Sequence, residues 1–95
     1  DDEILTGGTI IAAARVAREN AARSVTTACV HPILSDRAVE KICDDGLIEE
    51  LVVTDTIPLP PHKQRDKITV LSVAPLLGDA ITRIHTGEGV SDLFR

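Results

Sequence analysis

Apolar residues recur along this chain in two rhythms. Short unbroken runs alternate with stretches in which they return every three or four positions, and that alternation predicts a series of strands and helices. Ile10, Ala13, Ala14, Ala17 and Ala21 fall at helical spacing behind the turn Thr6-Gly7-Gly8-Thr9, so a helix is expected from the turn to about Asn20, its small residues lying close to a sheet. Residues 24–31 are rich in Val, Thr and Ala and predict a buried strand that Pro32 limits. Ser35 is placed to cap a helix over 36–44 that buries Val39, Ile42 and Cys43 and stops at Gly46. Residues 51–54 and 68–73 read as two further strands. The prolines and charges of 57–67 mark an exposed connection. Pro75 suits the first position of a last helix with Leu76, Leu77, Ala80, Ile81 and Ile84 on one face, ended by Gly87 and Gly89.

Helices alternating with short apolar strands predict an α/β fold, three-layered, with a mainly parallel sheet flanked by helices, although the connection over 55–67 lacks a helix and allows an irregular crossover. Only one residue, Phe94, is aromatic, so the core must be built from Ile, Leu, Val and Ala, which suit parallel strands under helices. A 95-residue chain buries only about 60 to 65% of the surface its unfolded form exposes, so modest stability is expected. The net charge of −5 argues against nucleic-acid binding, which needs clustered Lys and Arg. No apolar run approaches the roughly 20 residues that span a bilayer, so no membrane role is expected. Cys29 and Cys43 have neither C-x-x-C spacing nor a secretory signal, and read as reduced core thiols of a cytoplasmic protein.

The turn carries the chemistry. A phosphomonoester needs several N–H donors converging on one point, and Thr6, Gly7, Gly8 and Thr9 at a helix N-terminus offer them with two hydroxyls and the positive end of the helix dipole. Alone, such a turn is a weak signal. Asp1 and Asp2 just upstream strengthen it, because carboxylates at the C-terminal edge of an α/β sheet can accept hydrogen bonds from sugar hydroxyls. No apolar strand precedes the pair, and one is expected to have been cut away. His31, His62 and His85 lack metal-ligand spacing and read as structural or solvated. Asp44 and Asp45 read as a helix-end pair, and Asp55 as a turn former before Pro58.

Two acids, a short mostly apolar spacer and T-G-G-T resemble the phosphoribosyl-binding motif of type I phosphoribosyltransferases and of ribose-phosphate pyrophosphokinases. The stretches VHPILSDRAVEKI, ELVVTDTIPLP and LSVAPLLGDAITRIHTGEGVSDLF resemble the pyrophosphokinases alone, and the likeness covers almost all of the chain. The resemblance implies that residues 1–95 are the C-terminal phosphoribosyltransferase-like domain of such an enzyme, a partial domain without its first strands. It further implies a reaction in which pyrophosphate passes from ATP to ribose 5-phosphate with Mg2+ as cofactor. Asp1 and Asp2 would contact the ribose and Thr6, Gly7, Gly8 and Thr9 the 5-phosphate. No catalytic or metal-binding residue of the family is expected within the chain, which should be inactive without its N-terminal part. Phe94 is expected to anchor the tail or, by resemblance, to join a subunit contact near a regulatory site in a homo-oligomer, a hexamer in the family. Leu5 and Glu3 depart from the pyrophosphokinase pattern, and Glu3 is expected to face solvent. Leu5 keeps open a purine phosphoribosyltransferase, and a non-catalytic pyrophosphokinase-associated module is the other alternative.

Overall fold

The computed structural model describes residues 1–94. In chain order the elements are β1 (Glu3–Ile4), α1 (Gly8–Glu19), β2 (Thr26–Cys29), β3 (His31–Pro32), α2 (Asp36–Asp44), β4 (Glu50–Thr54), β5 (Ile68–Leu71) and α3 (Ala74–Thr86). Short 3-10 turns occupy Pro61–Lys63 and Ser91–Phe94. All strand pairs are parallel: Glu3 of β1 lies opposite His31 of β3, Thr26 of β2 opposite Glu50 of β4, and Leu51 of β4 opposite Ile68 of β5. The expected parallel α/β arrangement with flanking helices forms, as a two-stranded sheet β1-β3 and a three-stranded sheet β2-β4-β5, but among the described residues the third layer is missing because α3 buries nothing.

The strand expected over 24–31 is split at Val30 into β2 and β3. Val30 and His31 donate their N–H groups to the carbonyls of Asp1 and Asp2 at 3.4 and 2.7 Å, so the ladder runs on across the break. β1 was not foreseen. Two residues are too few to show a period, and the neighbouring strand, not local propensity, holds them extended.

The core lies where α1 and α2 meet the sheet, and its fully covered side chains are Leu34, Ile42, Ile48, Leu51, Val39 and Val53. Burying each such aliphatic side chain favours folding by about 1.5–3 kcal/mol before entropy is counted. α2 follows its pattern closely. The Ser35 hydroxyl accepts the Ala38 N–H at 3.2 Å, and Ala38, Val39 and Ile42 are buried while Cys43 is half-buried.

α1 has the expected length with a rotated face. Ile11 and Ala14 are buried, Ala13 is exposed, and Ala21 lies beyond the helix at φ 72°. Alanine gains little from burial, so a row of alanines marks a helix without saying which side faces inward; Ile11 decides it.

α3 forms over the expected residues, with a proline in its first turn and Gly87 at φ 79° closing it. Its apolar face is not used. No residue of α3 is buried, and Leu77, Ile81 and Ile84 are 55%, 67% and 71% exposed. Phe94 is 72% exposed, so the expected anchoring of the tail is not seen among the described residues. α1 and α2 cover one face of the strands, and among the described residues α3 covers neither them nor the other face, where Leu71 is 58% exposed.

Candidate functional site

β1 passes through residues 5–7 into α1, so Thr6, Gly7, Gly8 and Thr9 stand between the C-terminal end of a parallel strand and the start of a helix. Gly7 sits at φ +80°, a left-handed conformation that disfavours any side chain, and is buried against Ala38 and Ile42 of α2. Its carbonyl accepts the Ile11 N–H at 3.0 Å. The N–H groups of Gly8, Thr9 and Ile10 precede that first helical bond and have no partner inside the helix. No side chain caps α1, and no acidic residue occupies its first turn. The uncompensated positive end of the helix is thus left facing out of the loop.

Thr6, Gly7 and Thr9 line a cavity of about 190 Å³ whose carboxylates are Asp1 and Glu3. Among the described residues no Lys or Arg lines it. Asp2, expected beside Asp1, is not on its wall; Glu3, expected in solvent, is exposed and on it. Side chains alternate along extended chain, so residues 1 and 3 share a side that residue 2 does not. Ile4, buried in the core, would have set this register had β1 been recognised. The Asp1 carboxylate also accepts the Asp2 N–H at 2.7 Å. Gly8 opens instead onto a wider groove of about 560 Å³ between α1 and α2, walled by Arg15, Lys41, Asp44 and Asp45. A Cβ on Gly8 would meet only the Thr6 hydroxyl, at 3.9 Å.

The ends of β3 and β4 are tied together by hydroxyls. Thr54 and Thr56 both donate to the Val30 carbonyl, and His31 Nδ1 lies 2.8 Å from Thr56 Oγ1. This places His31 at a strand end, as expected, with a fixed ring. Asp55 does more than make a turn: its carboxylate accepts the Val73 N–H at 2.9 Å and so joins the end of β4 to the start of α3. Hydrogen bonds from Ser72 and then from the Val73 N–H hold the Asp55 carboxyl below its ordinary pKa. His62 is an exposed loop residue, 3.2 Å from Asp36. His85 lies in the last turn of α3, and Asp44 and Asp45 end α2. Both cysteines are free, and burial pushes each thiol up, which suits inert packing groups.

Among the described residues no group of three or more His, Cys, Asp or Glu could hold a metal ion. No helix among the described residues is long and apolar enough to cross a membrane.

The family model of the phosphoribosyl synthetase-associated domain matches residues 1–95. The chain belongs to that family. It is 54% identical over 94 residues to a ribose-phosphate pyrophosphokinase of Oceanobacillus iheyensis, covering 99% of this chain and 29% of the relative. A ribose-phosphate pyrophosphokinase of Nostoc is 47% identical over 95 residues, covering all of this chain and 28% of the relative. The crystal structure of phosphoribosylpyrophosphate synthetase from Mycobacterium smegmatis matches 92% of this chain and 29% of its own with a TM-score of 0.85 and 40% identity. The resemblance to ribose-phosphate pyrophosphokinases therefore holds at the level of family and fold. The chain spans less than a third of the length of these relatives. The C-terminal placement expected from the sequence gains no support from them.

Proposed function

We propose that this chain supplies the ribose 5-phosphate site of a ribose-phosphate pyrophosphokinase, the enzyme that makes phosphoribosyl diphosphate from ATP and ribose 5-phosphate. The observation that carries the reading is the uncapped start of α1 behind Thr6, Gly7, Gly8 and Thr9, opening beside a small cavity walled by Asp1 and Glu3. Free N–H groups and two hydroxyls can take a phosphate without a cationic side chain, and the nearby carboxylates can accept sugar hydroxyls. Asp1 is the better placed member of the acidic pair, and Asp2 belongs to the site only through the chain that positions Asp1. ATP, Mg2+, the metal ligands and the catalytic residues belong on this reading to the remainder of a longer, cytoplasmic, homo-oligomeric protein, of which residues 1–95 are a phosphoribosyltransferase-like part. By itself the chain is inactive.

A second reading, a non-catalytic module associated with such enzymes, is favoured by the description of the matching family as an associated domain. Calorimetric titration of the intact protein separates the two. Gly8→Val adds its side chain beside the Thr6 hydroxyl, outside the core. It should weaken ribose 5-phosphate binding at least tenfold and leave ATP affinity within twofold. Equal loss of both, or of neither, removes the phosphate assignment.

A further inference from the structure

In a regular strand the N–H and C=O of one residue point to the same side, and those of the next residue point to the other. Val30 breaks that rule. Its N–H and that of His31 both turn towards β1, donating to the carbonyls of Asp1 and Asp2 at 3.4 and 2.7 Å, while the Asp1 nitrogen donates to the Ala28 carbonyl at 3.1 Å. The Val30 carbonyl turns the other way, towards the end of β4. Two consecutive amides thus serve one edge, which an unbroken strand does not allow, and the irregularity is what separates β2 from β3.

A carbonyl turned out of its ladder needs another donor, because a backbone acceptor left without one costs free energy. Two hydroxyls meet that need. Thr54 and Thr56 both donate to the Val30 carbonyl, Thr56 at 3.0 Å, and the Thr56 N–H donates to Thr54 Oγ1 at 3.2 Å, which holds the two threonines together. His31 closes the cluster, its Nδ1 2.8 Å from Thr56 Oγ1, and stands opposite Glu3 in the β1–β3 pair. Neither threonine lines the 190 Å³ cavity, whose carboxylates are Asp1 and Glu3, so any effect they have on it passes through the backbone. We infer that Thr54 and Thr56 are positioning residues for the sugar end of the site: by holding the Val30 carbonyl they fix the two amides that hold Asp1 and Asp2. This rests on the ribose 5-phosphate reading and deepens it, since recognition of the sugar hydroxyls then depends on an orientation set from β4. The Thr6 to Thr9 turn is braced elsewhere, by Gly7 against Ala38 and Ile42, so the sugar and phosphate ends respond separately.

The test is calorimetric titration of the intact protein with ribose 5-phosphate and with 2-deoxyribose 5-phosphate, which carries the same phosphate without the 2-hydroxyl. The unmodified protein should favour the ribose ligand at least tenfold. Thr54→Val combined with Thr56→Val keeps the shape of both side chains, removes both hydroxyls and should bring that preference below threefold. Thr56→Val alone should fall between the two. Thr54→Ser combined with Thr56→Ser restores both hydroxyls and should recover the original preference. A loss of general stability would weaken both ligands by the same factor; an unchanged ratio in the valine pair therefore overturns the proposal, as does a serine pair that fails to recover it. If the valine pair does not fold, Thr56→Val alone decides, and an unchanged ratio there is equally fatal. An unmodified protein that binds both ligands alike overturns the ribose reading and this proposal with it, whereas one that discriminates, beside a valine pair that discriminates equally, removes the threonines and leaves that reading standing.

Discussion

α2, of nine residues, and α3, of thirteen, are both amphipathic helices, and the chain treats them in opposite ways. α2 places Ala38, Val39 and Ile42 at 0–2% exposure beneath Gly7 and against the sheet, while α3 leaves Leu77, Ile81 and Ile84 in solvent. The pattern of a helix announces that one face wants cover. It does not say whether the cover lies in the same stretch of sequence. α2 finds its partner because a β-α-β crossover folds it back on strands only a few residues away, whereas α3 follows the edge strand β5 and has no later strand to return to among the described residues.

The sharpest way to break this contrast is to truncate the two faces separately. Ile42→Ala should cost about 2–5 kcal/mol in denaturant unfolding of the chain, since its side chain is fully enclosed. Ile84→Ala should stay within about 0.5 kcal/mol, as exposed positions do. Similar costs at both sites would mean that α3 is packed after all. Gly7→Ala tests how the loop joins the two regions. Its Cβ meets Ala38 at an ordinary 3.5 Å, so the cost, about 1–3 kcal/mol, should come from the left-handed backbone and appear as a lower unfolding midpoint. Ser35→Ala removes the cap of α2 and should cost about 1 kcal/mol by the same measurement. Gly7 and Val73, the residues at the N-caps of α1 and α3, offer no side-chain cap, and at α3 Ser72 accepts the Ala74 N–H instead.

The smallest effect concerns the start of α3. Asp55 has a folded pKa below its unfolded one, so the stability it lends is present above the ordinary carboxylate pKa and is lost as pH falls through the depressed value. Amide exchange at Val73 should quicken relative to core amides, after correction for intrinsic rates, only in that acid range. Asp55→Asn should shift or abolish that acid step; an unchanged step would point to another carboxylate.

Local rules, working on neighbours in sequence, made α2, its Ser35 cap, β4, the span of α3 and its Gly87 stop legible in advance. They also marked Thr6 to Thr9 as a turn opening a helix, which is the heart of the candidate site. What they missed was decided by neighbours distant in sequence. β1 exists because His31 and Pro32 offer it a parallel partner, and that strand's alternation puts Glu3 rather than Asp2 beside Asp1 on the cavity wall. Asp55 reaches Val73 only because β4 and β5 end side by side. Tertiary packing, too, chose Ile11 and Ala14 over the evenly spaced alanines of α1. The residues themselves determined which segments coil, extend or turn, because those preferences act over a few bonds. Which faces are covered, and which carboxylate meets the loop, depended on strand register and on the supply of partner surface, quantities that exist only once the chain has folded.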